Sequence, residues 1–217
     1  MGLFDWIFGR RNPQALVLDR VWLKDKLLWQ NLRREIDEEL TAGLHVILVA
    51  HFPQRWDQLV NWLNAQELDF EDWQPRSWRD IRQNLASSAP RIWLLPVQDI
   101  PQYDPQLDEA GLELPVTVMA SEHHPHPEGD RPLHELALGI PARGGIVFQV
   151  ALDQPLFGSL GQLTALLQTL GMDTNECIDS PMVCKQIGRL QQRIARQVKT
   201  HGPADSAGEW MQRYANS

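Results

Sequence analysis

Four short, continuous apolar runs constrain this chain more than anything else in it. They are HVILVAHF (45–52), RIWLLPV (91–97), LPVTVMA (114–120) and IVFQVAL (146–152). A strand with one wet face alternates apolar and polar residues. A run that is apolar throughout predicts a strand covered on both faces, as in a parallel sheet. Between these runs lie helical patterns. Leu28, Leu32, Ile36 and Leu40 form an i+4 ladder with Glu35, Asp37, Glu38 and Glu39 between them. Trp56, Leu59, Val60 and Leu63 repeat the period, as do Trp78, Ile81 and Leu85, and then Val183, Ile187, Leu190, Ile194 and Val198. Shorter helices are predicted over Pro132–Leu138 and Leu160–Leu170, and a short extended piece near Leu68–Trp73. Strands alternating with helices predict an α/β domain with right-handed crossovers.

Composition narrows the function. The net charge is −8 and the pI about 5.3, with no Lys/Arg cluster longer than two residues. A nucleic-acid binder needs a basic face, so none is expected to bind here. Two cysteines, Cys177 and Cys184, are too few for a disulfide scaffold and wrongly spaced for a zinc knuckle. No apolar stretch is long enough to span a bilayer, and no signal peptide is evident. A cytoplasmic protein is the expectation.

Residues 1–12, MGLFDWIFGRRN, stand apart. Leu3, Phe4, Trp6, Ile7 and Phe8 give an apolar face, and Arg10 and Arg11 close it. Such a segment can lie weakly in a membrane interface or contact a partner. It can equally pack on the chain's own core. The expected organisation is an amphipathic segment (1–16), an α/β domain (17–182), an exit helix (183–200) and a polar tail (201–217). Trp210, Met211 and Tyr214 give the tail a means of docking.

The order of these pieces resembles the second ATPase domain of the SecA family, the motor of the bacterial secretion channel. The resemblance covers Asp19 to Val198. IVFQVALDQPLFG, LTALLQTLGM and IDSPMVCKQIGRLQQRIARQV are similar to the end of that domain, and Phe8-Gly9-Arg10-Arg11-Asn12 resembles the string that ends the amphipathic N-terminus of SecA. The implied fold is a three-layer, parallel-sheet, RecA-like domain of the P-loop NTPase type. Here it lacks the P-loop, for G-x-x-x-x-G-K-[ST] occurs nowhere. The family's Gly-rich loop is shortened to Pro96–Ile100, which leaves Asp99. Its two arginine positions fall at about Ala137 and Gly139. Arg143 is either a displaced arginine or a turn residue. These departures predict a degenerate, non-catalytic module with no cofactor.

The loop SEHHPHPEGD (121–130) is dense in potential ligands. Glu122, His123, His124 and His126 could form a locally hydrogen-bonded loop or face a partner. His124, His126 and His134 could in principle reach one metal ion. No metal motif supports that, and no metal is assigned. Four histidines could also make the loop pH-sensitive.

Three functions are weighed. The first is a SecA-related adaptor that docks on SecA or a translocation complex, in the cytoplasm or peripherally at the inner membrane. The second is half of a nucleotide site, Asp99 and Arg143 completing a partner's P-loop. The third is an enzyme built on the histidine loop.

Overall fold

The run His45–Ala50, wholly buried, forms strand β2 at the centre of a six-stranded sheet. The computed structural model describes residues 17–102, 114–139, 145–160, 177–178 and 181–215. In chain order the strands are β1 (Val17–Trp22), β2, β3 (Phe70–Asp72), β4 (Ile92–Pro96), β5 (Val116–Ala120) and β6 (Gly145–Ala151). Their spatial order is β1-β6-β5-β2-β4-β3, and every pairing is parallel. Between them run α1 (Asp25–Thr41), α2 (Pro53–Ala65), α3 (Trp78–Ser87) and α4 (Pro127–Gly139). Among the described residues, α5 (Pro181–Gln197) and the short α6 (Ala207–Trp210) follow β6.

Side-chain alternation splits each central strand between two cores. Val46, Leu48, Ile92, Leu94 and Met119 pack with Leu28, Leu32 and Ile36 of α1 and Leu59 and Leu63 of α2. Ile47, Val49, Trp93, Leu95, Val118 and Phe148 pack on the other face. There they meet Ile81 and Leu85 of α3, Leu133 and Leu136 of α4, and Ile187 and Ile194 of α5. This is the expected three-layer α/β architecture.

Strand β1 departs from the sequence reading, which began only at Asp19 and placed no strand there. Asp19 and Arg20 interrupt its apolar pattern, yet it pairs in register with β6 from Val17↔Ile146 to Trp22↔Ala151. The polar residues have partners on opposite faces. Arg20 reaches Glu35 of α1 at 2.7 Å, and Asp19 reaches His123 at 3.1 Å. Helix α4 starts at Pro127, five residues before the predicted start at Pro132. Pro127 takes the first helical position, which proline favours, and Pro132 lies inside the helix.

The tail after Lys199, expected from its polarity to fray unless Trp210, Met211 and Tyr214 dock, is docked through Trp210. Ser206 caps α6, its Oγ accepting from Glu209 N, and Trp210 is fully buried. A π-helical turn, Met211–Ala215, follows. The predicted helix at Leu160–Leu170 lies almost wholly outside the described residues, and the amphipathic segment and Arg143 lie wholly outside them.

Candidate site at the switch point of the sheet

In an open parallel sheet, ligands bind beyond the carboxyl ends of the strands where neighbouring strands send their connections in opposite directions. Here that point lies between β5 and β2. Helix α2 leaves β2 for one face of the sheet, and α4 leaves β5 for the other. The loops His51–Phe52 and Ser121–His126 flank the crevice. A cavity of about 230 Å³ opens there, lined by Asp25, Arg55, Glu122, Asp153, Gln154 and the tail residues Ser206–Gly208, among others.

Arg55 decides what this cavity can hold. It sits in the first turn of α2, where the helix dipole disfavours a cation. Its five N–H donors are matched by five bonds. Nε donates to Ser121 Oγ at 3.1 Å. One terminal nitrogen donates to Asp25 Oδ2 at 3.3 Å and Gln58 Oε1 at 3.0 Å. The other donates to Asp25 Oδ1 at 2.8 Å and the Ser121 carbonyl at 2.7 Å. Its guanidinium also stacks over Trp29 at 4.6 Å. Burial alone would raise the Asp25 carboxyl, but the hydrogen bond and charge of Arg55 prevail and hold it below its ordinary value.

The remaining ionisable side chains lining the cavity are acidic. Asp153 accepts from the Asp25 backbone N–H at 2.8 Å. Glu122 Oε1 is buried with no hydrogen-bond partner among the described residues. Burial pushes that carboxyl up toward its protonated form. The N-terminus of α2, a ready anion site in such folds, is engaged as well. The Gln54 N–H donates to the Asp205 carbonyl of the chain's own tail at 2.9 Å.

Behind the cavity lies a buried network centred on Asp130. Its Oδ2 stands 2.7 Å from His123 Nδ1 and accepts from Gln191 Nε2 at 2.6 Å. Its Oδ1 accepts from the His124 backbone N–H at 2.9 Å, with His51 Nε2 also at 2.9 Å. Burial opposes ionisation of this carboxyl, yet the charge and hydrogen bond of His123 hold it well below the usual carboxylate range. His123 stacks on Phe148, centroids 4.0 Å apart, and its Nε2 meets Asp19 Oδ1 at 3.1 Å. Burial by itself would lower His123; Asp130 and Asp19 together raise it to about 9. His124 stacks on Phe52 at 5.1 Å, and burial, then the charge of His51, lower it to about 4. Gly129 makes room for this ring, since a Cβ there would overlap it.

Glu122, His123, His124 and His126 are all buried, and the three histidines hydrogen-bond within the protein. A partner approaching here would meet Glu128 and Arg131, which are exposed. His124 turns inward and His134 is exposed on α4, so the trio of His124, His126 and His134 forms no common site. Asp99 ends a 3-10 turn, Val97–Asp99, after β4 and is half-buried. Arg55 and Asp25 escaped the sequence reading. A cation at the N-terminal turn of a helix was the available signal.

No protein-family model and no curated protein sequence matches the chain. Among solved structures, it is similar to the C-terminal part of the Fun30 ATPase domain, with 14% identity and a TM-score of 0.41. The match covers 76% of this chain and 50% of that one. This chain thus spans about half the length of that structure, and the likeness carries no residue's role across. Among the described residues, no helix is long and apolar enough to cross a membrane.

Proposed function

We propose that this chain is a non-catalytic adaptor related to SecA, in which an ATPase-type lobe serves as a docking scaffold. The observation that carries the reading is the closure of its switch point from within. Arg55, the cation lining the cavity, has all its donors engaged by Asp25, Gln58 and Ser121. The other ionisable groups around it are carboxyls, so none supplies the positive charge that a phosphate chain needs. The α2 N-terminus is engaged by the tail. Together with the missing P-loop sequence, these features support a scaffold over a motor.

The partners follow from the sequence resemblance. They are a SecA motor or translocation complex, with residues 1–12 as a weak contact to the membrane or to that complex. The test is affinity capture with the tagged full-length chain from its native cells, alongside liposome co-sedimentation with anionic vesicles. The reading predicts a translocation component among the captured proteins. Recovery of none, combined with no sedimentation with vesicles, would remove it.

A further inference from the structure

At the start of α4 three potential metal ligands come together. The ligand atoms of His126, Glu128 and His201 all lie within 4.8 Å of one another. His126 Nδ1 is 3.9 Å from Glu128 Oε2, and the two imidazole centroids are 4.7 Å apart. The residues come from two segments, His126 and Glu128 from the β5–α4 loop and first turn, His201 from the tail after α5.

His126 Nδ1 is the nitrogen nearest Glu128, and it accepts from the Glu128 backbone N–H at a long 3.3 Å, a bond that a metal ion on that nitrogen would replace. The ring also bonds to the Val198 backbone, an outer contact of the kind that orients a metal-binding histidine.

We propose that His126, Glu128 and His201 bind one divalent transition-metal ion of zinc's ligand preference. Two imidazoles and a carboxylate suit zinc, and three protein ligands leave a position open to solvent. Tetrahedral ligands at zinc bond lengths stand about 3.4 Å apart, so the set must close by about 1 Å. Glu128 can supply that movement, because its side chain is 69% exposed. Lys199 and Arg131 are opposing charges in the neighbourhood. The ion would join the tail to the β5–α4 loop and fasten the segment that closes the switch point.

The experiment is calorimetric titration of the untagged, chelator-stripped full chain with zinc chloride, followed by thermal unfolding with and without zinc. One equivalent is expected to bind and to raise the unfolding midpoint, because it binds only the folded chain. Glu128→Gln and His201→Ala change exposed and half-buried positions, and circular dichroism checks that both fold. Each should weaken zinc at least tenfold and remove the midpoint shift. No saturable binding would overturn the proposal. Unchanged affinity in the Glu128→Gln/His201→Ala double variant would overturn it too, by placing the ion elsewhere, for example at the cysteines.

Discussion

His123 and Asp130 meet through Nδ1 and Oδ2 at 2.7 Å, with both side chains buried. The same imidazole reaches Asp19 of β1 through Nε2. One cation therefore lies between two carboxylates and fastens the edge strand to the β5–α4 loop.

The pH dependence follows from the sign of the shift. His123 has an ordinary pKa of 6.5 when unfolded and about 9 when folded. The folded state binds its proton more tightly, so the stabilisation is complete below pH 6.5 and is lost as pH rises through 9. The groups facing it are Asp19 from β1, with the Cys184 thiol of α5 beside that carboxylate, Asp130 from α4, and Phe148 from β6. Urea midpoints should fall between pH 6.5 and 9 in the native chain, and fall less in His123→Gln. Parallel profiles for the two proteins would contradict the assignment.

Much of the sheet was legible in the sequence because β2, β4, β5 and β6 are apolar on both faces, and burial on both faces leaves few other patterns. Strand β1 was not legible because its polar residues answer to partners far away in the chain. Asp19 pairs with His123, 104 residues on, and a local pattern cannot contain that information. The 121–130 loop stood out by its density of histidines, but density does not fix direction. His123 and His124 are neighbours with opposite fates, one held charged by two carboxylates and one held neutral by burial. Trp210 offered only its size as a signal. Its position in the core depends on the Ser206 cap and the turn that follows.

Breaking the Arg55–Asp25 pair should be expensive. Arg55→Ala removes the paired charge from a partly buried carboxylate, leaving Asp25 only Trp29 and Gln154 as side-chain donors and the Ser121 carbonyl only Gln154, a change worth about 2–4 kcal/mol of stability. Arg55→Lys should recover little, since an ammonium cannot reproduce a five-donor fork. Urea denaturation of both variants checks this, and a cost below about 0.5 kcal/mol for Arg55→Ala would place the pair among weak surface bridges.

Tail docking makes its own prediction. Trp210 is fully buried against His124, His126 and His201, with ring centroids 5.2–6.3 Å away. Trp210→Ala should cost about 3–5 kcal/mol, as for other buried aromatic truncations. Met211→Ala, at a half-buried neighbour, should cost clearly less. Equal effects in thermal unfolding would mean that the tail is not seated on Trp210.

Gly129 tests how tightly α4 crosses the loop. A Cβ at this position would overlap the His124 ring. Gly129→Ala normally favours a helix, yet here overpacking should destabilise by about 1–3 kcal/mol. A stabilised variant in chemical denaturation would show that His124 does not occupy this place.

The central claim is that the switch point is closed by the chain's own residues, with Arg55 unavailable to phosphate. Calorimetric titration of the full chain with a non-hydrolysable ATP analogue and magnesium tests it most directly. The account predicts no saturable heat up to millimolar analogue, for the native chain and for Asp25→Asn alike. Saturable binding by the native chain, abolished in Arg55→Ala, would contradict it.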